Sequence, residues 1–184
     1  MADVPNLDLT NDVTDALFEA GCDDSSPGIC NGRMHIDFAR EAPTFKAAVL
    51  SAIRDVRKAK IGADVIRVDD INPVTQADIA RRIGRSRQVV HQWISGTRGP
   101  GMFPAPTRQV TDGTAYYDWR DVAGWLVAHG MLPAEVLRDA EERDAINSVL
   151  ELERQRHERP DLLKEVVRSI LPKNLSDSML AVLK

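Results

Sequence analysis

The stretch TQADIARRIGRSRQVVHQWISG, residues 75–96, restricts the fold more than any other part of the chain. Thr75 has the side chain to cap a helix, and Ile79, Ala80 and Ile83 fall on one face of it. Gly84 follows, where a left-handed backbone costs glycine little. Ser86 can cap a second helix whose Val90, Trp93 and Ile94 point inward, and Gly96 can end it. Ala80 is small enough to let two helix backbones cross closely. The spacing predicts two short helices joined by a tight turn, with Arg87, Gln88, His91 and Gln92 facing outward.

Charge sharpens that picture. Between residues 79 and 110 stand Arg81, Arg82, Arg85, Arg87, Arg98 and Arg108, with no acidic residue, in a chain whose net charge is −4. The block carries +6 and the remainder −10. A concentrated basic stripe neutralises phosphates locally whatever the total charge, while the acidic remainder weakens non-specific attachment. Arginine can bond guanine and glutamine can bond adenine through two hydrogen bonds, each pair contributing about 1–3 kcal/mol of discrimination. Thr75, Gln76 and Ser86 lie at helix N-termini, where N–H groups and hydroxyls can hold phosphates. The expected partner is double-stranded DNA, met by Thr75, Gln76, Arg85, Ser86, Arg87, Gln88, His91, Gln92, Arg98 and Arg108.

The pattern T-Q-x-x-I-A-x-x-x-G-x-S-x-x-x-V-x-x-W, residues 75–93, resembles the helix-turn-helix of bacterial and phage repressors. That resemblance implies a phosphate-clamping role for Gln76 and base contacts for Arg87, Gln88 and Gln92. The next segment, GTRGPGMFPAPTRQVTDGTAYYDWRDVAGWL, resembles the wing and closing helix of MerR-like and excisionase-like regulators. Phe103, Pro104, Pro106, Trp119, Arg120, Asp121, Val122, Trp125 and Leu126 carry it. Asp112-Gly113 is the expected hairpin turn, and Arg98 and Arg108 are placed for phosphate or minor-groove contact. Trp93, Trp119 and Trp125 are expected in the core, with one of Tyr116 and Tyr117 buried and the other exposed.

Upstream, residues 1–72 read as a small α/β domain. The expected elements are a strand at 6–10, a helix at 13–20 capped by Asn11 or Asp12, and strands at 27–30 and 33–38 around an Asn31-Gly32 turn. A helix opened by Thr44 follows, with Phe45, Ala48, Val49, Ala52, Ile53 and Val56 along one stripe, and then a strand at 63–68. That β-α-β-β-α-β order is ferredoxin-like. The polar connector at 69–73 marks a boundary, so 73–130 is the expected winged helix-turn-helix domain. Residues 131–184 form an expected helical extension, a candidate for dimerisation. Its long helix carries Leu132, Val136, Leu137, Ala140, Ile146, Val149 and Leu150. A helix opening at Pro160 carries Leu162, Leu163, Val166, Val167 and Ile170, Pro172 ends it, and a short helix at 176–183 closes the chain. The expected class is α+β.

Other signals exclude more than they propose. A composition 43% hydrophobic and 28% charged is that of a globular chain, and no apolar run approaches the roughly 20 residues that span a bilayer. The first residues have neither the basic nor the apolar region of an export signal, so a cytoplasmic location is expected. Cys22, Cys30 and His35 match no common zinc spacing. The glycines at 96, 99 and 101 lack a preceding strand and a following GK[ST], so no nucleotide loop is expected. Asp23-Asp24 and Asp69-Asp70 sit at element ends, and His91 and His129 stand near no arranged nucleophile. No cofactor, metal or enzymatic activity is expected. The reading is a sequence-specific DNA-binding transcriptional regulator, a repressor or autorepressor acting as a homodimer. Two alternatives stand beside it. One is an antitoxin-like protein whose N-terminal domain binds a protein partner, and the other an excisionase-like recombination factor.

Overall fold

The computed structural model describes residues 9–68, 73–111 and 113–182. It is a mixed α+β protein that divides into two compact units, Met1–Val68 together with Ala145–Lys184, and Asp69–Asp144. Among the described residues no helix is long and apolar enough to cross a membrane.

Helix α1 (Asn11–Ala20) is capped by Thr10, whose hydroxyl accepts from the Val13 amide, and it ends at Gly21 with φ 103°. Strands β1 (Ser25–Cys30) and β2 (Arg33–Phe38) form an antiparallel pair in which Cys30 faces Arg33. Asn31 and Gly32 between them both have positive φ, 52° and 74°, as a two-residue turn of this hand requires. Helix α2 (Phe45–Lys58) opens at Thr44, which accepts from the Ala47 amide. Leu17, Cys22 and Val56 are buried together, with Val13, Ile36, Phe38, Ala59, Ile61 and Val65 packed around them. Arg40 closes the rim, donating to both carboxylate oxygens of Asp24 at 2.8 Å, to Asp55 and to the Gly21 carbonyl.

The second unit begins with β3 (Val74–Thr75), α3 (Gln76–Arg82) and α4 (Arg87–Ile94). Strands β4 (Arg108–Gln109) and β5 (Ala115–Tyr117) join β3 in an antiparallel sheet of order β3-β5-β4. Helix α5 (Trp119–Ala128) and the first part of α6 (Ala134–Glu158) complete it. Its interior joins Val74, Ile79, Ala80, Val90, Tyr117, Trp119, Val122, Ala123, Trp125, Leu126 and Ala140, with Leu132, Val136 and Leu137 packed against them. Leu132 and the opening of α6 thus serve this unit, while the rest of α6, α7 (Pro160–Ile170) and α8 (Lys173–Val182) belong with the first. The helices grouped by sequence into one extension at 131–184 are therefore shared between both units.

Several local expectations need correction. Residues 63–68 form no strand, and the β1-β2 sheet has two strands, so the described residues lack the last strand of a ferredoxin-like order. The backbone amide and carbonyl of Val68 are satisfied by a side chain instead. Asn147 on α6 accepts from the Val68 amide at 2.8 Å and donates to its carbonyl at 3.1 Å, as a neighbouring strand would. Of the expected first strand, Leu9 and Thr10 are not in a strand and the others lie outside the described residues. Thr10 caps α1, so Asn11 and Asp12 fall inside the helix. Helix α8 starts at Lys173 rather than 176, because Pro172 both ends α7 and opens the next helix, its carbonyl accepting from Leu175 and Ser176. Asp112 and the connector residues 69–72 lie outside the described residues.

Candidate nucleic-acid interface

The helix pair α3–α4 owes its rigidity to its ends. Thr75 accepts from the Asp78 amide, and the Asp78 carboxylate accepts from the Thr75 amide at 3.0 Å and the Thr75 hydroxyl at 2.6 Å. These bonds hold the Asp78 carboxyl below its ordinary value, the hydroxyl contributing most. Gly84 turns the chain at φ 62°, and the Arg85 amide reaches back to the Ala80 carbonyl at 2.9 Å. Ser86 then caps α4 by accepting from the Val89 amide. Val90 is fully buried, with Trp93 and Ile94 against the same core. One face of α4 is thereby fixed, and Arg87, Gln88 and His91 are held in solvent, with Gln92 half-buried at the edge.

Gln76, the residue expected to clamp a phosphate, is itself held in place. Its side-chain amide donates to the Arg87 carbonyl at 2.8 Å and ties the start of α3 to the first turn of α4. The hydroxyls of Thr75 and Ser86 are likewise engaged as caps. These three residues build the frame. Arg85, Arg87 and Arg98 are exposed, and their guanidinium groups have no hydrogen bond or ion pair among the described residues.

The segment after α4 folds back onto it. The Gln92 carbonyl accepts from the Arg98 amide at 3.3 Å and from the Thr97 hydroxyl at 3.4 Å, so Arg98 is brought alongside the helix that carries Arg87. Gly99 has φ 100°, and a Cβ there would stand 2.4 Å from Cδ1 of Trp93. Glycine is needed for both reasons. Trp125 donates its indole N–H to the Gly101 carbonyl at 2.8 Å and packs on Trp93 and Phe103 at ring separations of 5.5 and 5.0 Å. Trp119 and Trp125 are buried and Trp93 partly so, all three in the core.

The sheet aligns the remaining pieces. Tyr116 pairs with Thr75 on one side and Arg108 on the other. Two strand spacings thus set Arg108 roughly 10 Å from Thr75, the cap of α3. The Arg108 guanidinium lies over the Tyr116 ring, 5.3 Å from its centroid, and the residue remains exposed. Tyr117 is buried, which raises its phenol pKa, while Tyr116 is half-buried under Arg108. Gly113 has φ 85° and donates to the Val110 carbonyl, closing the β4–β5 connection.

Some contributors escaped sequence reasoning. The Thr75-x-x-Asp78 spacing is a readable capping-box signal, with Asp in place of the usual Glu or Gln. The Arg82 guanidinium over the Trp119 ring, at 4.4 Å, has no local signature. It holds that arginine against the core and sets it apart from the three outward ones. Among the described residues no group of His, Cys, Asp and Glu is arranged to hold a metal ion. Cys22 is buried, which pushes its thiol pKa up, and Cys30 is an exposed free thiol.

Compared with protein-family models, curated proteins and solved structures, the chain matches none of them.

Proposed function

We infer that Asp69–Asp144 is a winged helix-turn-helix module that binds double-stranded DNA. The chain then acts as a transcriptional regulator, a repressor that occupies its operator as a homodimer and performs no catalysis. One observation carries this reading. A capped, core-anchored helix presents Arg87, Gln88 and His91 to solvent beside Arg85 and Arg98, whose charges have no partner among the described residues. Unpaired exposed arginines on a rigid frame suit a polyanion. Outward Arg and Gln at the start of a helix suit base edges in the major groove. Arg98 and Arg108 supply phosphate contacts from the loop and the wing.

Selection of bound sequences from a random duplex library, followed by anisotropy titration across salt concentrations, tests it. The chain should enrich a defined site. Arg87→Ala should relax preference at one position, while Arg98→Ala should weaken binding to every sequence and lower the salt slope by about one. No enrichment, or equal effects of both variants on selected and random duplexes, would contradict the assignment.

A second reading, a DNA-bending accessory factor, draws on Met102. It is 94% exposed and has φ 53°, at the tip of a loop pinned through Gly99 and Gly101. Exposed apolar side chains of this kind wedge between base steps and kink the duplex. Fluorescence energy transfer across a selected site separates the two readings. A bend that Met102→Ala abolishes favours the accessory factor.

A further inference from the structure

Helices α1 and α2 turn faces of opposite sign to solvent. At about 100° per residue, Asp12, Asp15, Phe18 and Glu19 share the side of α1 away from the inward Val13, Leu17 and Ala20. All four are exposed, Phe18 by 66%. On α2 the side away from the buried Val56 carries Leu50, Arg54 and Lys58, again exposed, Leu50 by 44%. Arg57 stands at its margin, bonded to Asp64 and Glu153, and Asp55 is turned to Arg40. Asp12, Asp15, Glu19, Arg54 and Lys58 have no ion pair among the described residues. The last turns of the two helices lie side by side. Lys58 Nζ donates to the Ala20 carbonyl at 3.3 Å, and a Cβ on Gly21 would stand 3.6 Å from the Asp55 carboxyl carbon.

We propose that a second copy of this chain covers these faces, with α1 of each copy laid on α2 of the other about a two-fold axis that runs along the helices. The charges select the axis. An axis across the helices lays α1 on α1 and α2 on α2, setting carboxylate against carboxylate and cation against cation. An axis along them exchanges the two faces, so acid meets base twice. It also keeps every residue at its own height. Because the ends of α1 and α2 share a level, Glu19 of one copy faces Arg54 and Lys58 of the other. Phe18, at the same level, lies against the stem and guanidinium of Arg54. Helices of ten and fourteen residues give a contact of the small class, below about 1,200 Å². Association is therefore reversible, and it weakens as salt screens the charges. The inference rests on the homodimer part of the function proposed above. The contact forms without DNA and is tested without it, so the two can fail separately.

The test uses the full chain in sedimentation equilibrium. Glu19→Arg and Arg54→Glu, both at exposed positions, should each weaken association about threefold to thirtyfold. Mixing those two variants, or placing both changes in one chain, should restore it, because every facing pair is then again of opposite charge. With Cys30→Ser removing the exposed thiol, Glu19→Cys and Arg54→Cys chains should crosslink to one another under mild oxidation, with neither linking to itself. Glu19→Cys linking to itself, an unchanged association constant in either charge variant, no rescue in the mixture or the double variant, or a wild-type chain that stays monomeric at its solubility limit would each overturn the proposal. A monomer that still binds a selected duplex leaves the DNA reading standing, and a dimer with no DNA affinity removes that reading alone.

Discussion

In Asp69–Asp144 the interior is continuous and aromatic, Trp125 meeting Trp93, Phe103 and His129, with Leu126 and Val122 fully buried below. Around α1, β2 and α2 it is smaller, and a charged clasp finishes it, Arg40 bridging Asp24 and Asp55 with its own side chain only 12% exposed. Dispersion and apolar burial need no particular protonation state, whereas a clasp of ions does. A helix that must hold side chains at fixed positions is better served by the first arrangement.

The largest break in this contrast should come from Trp125→Ala. Removing the ring empties the centre of the aromatic cluster and strands the Gly101 carbonyl, at a cost of about 3–5 kcal/mol. All three tryptophans belong to this unit, so denaturation followed through Trp93 and Trp119 fluorescence reads it directly. A change under about 1 kcal/mol would mean the cluster is not a shared core.

Arg40→Met should cost the other unit about 2–3 kcal/mol, because two partly buried carboxylates lose their donor. Amide exchange in β1 and β2 measures it. Hydrogen bonding to Arg40 holds the Asp24 carboxyl below its ordinary value. Its contribution is therefore complete above the unfolded carboxylate value and is lost as pH falls through the lower folded value. Arg40→Met should remove that acid-dependent portion; an unchanged acid profile would show that the clasp is ornamental.

Gly99→Ala sharpens the comparison from the loop side. The left-handed backbone and the contact with Trp93 together predict a loss of about 1–3 kcal/mol, visible in the tryptophan transition. Wild-type stability in this variant would show that the loop is not pinned to the core.

The smallest effect belongs to Thr75→Ala, about 1 kcal/mol for a lost cap. It should also return the Asp78 carboxyl toward its ordinary value. The stability that Asp78 supplies above the unfolded value, lost in wild type as pH falls through the depressed one, should then shrink. A carboxyl titration by NMR that leaves Asp78 unmoved would contradict the capping box.

Where one residue and its near neighbours decide the structure, the sequence was readable. Ser86 caps α4, Asn31-Gly32 turns the hairpin and Pro160 opens α7, each through its own backbone preference. Residues 63–68 carried enough β-branched content for a strand, but a strand needs a partner. Here the partner is the Asn147 amide, 79 positions away, which no local pattern reveals. The outward set Arg87, Gln88 and His91 followed from helical spacing. That Gln76 would spend its amide on the Arg87 carbonyl, and Arg82 lie against Trp119, did not, because each depends on how two elements pack. The pinned loop after α4 was visible only as three glycines.

Hydrogen–deuterium exchange on the full chain, with and without a selected duplex, tests the central claim most directly. The account predicts protection confined to residues 86–92, 97–98 and 108–109, with α1 and α2 unchanged. Protection concentrated in α1, β1, β2 or α2, with residues 86–92 unaffected while DNA is bound, would contradict it.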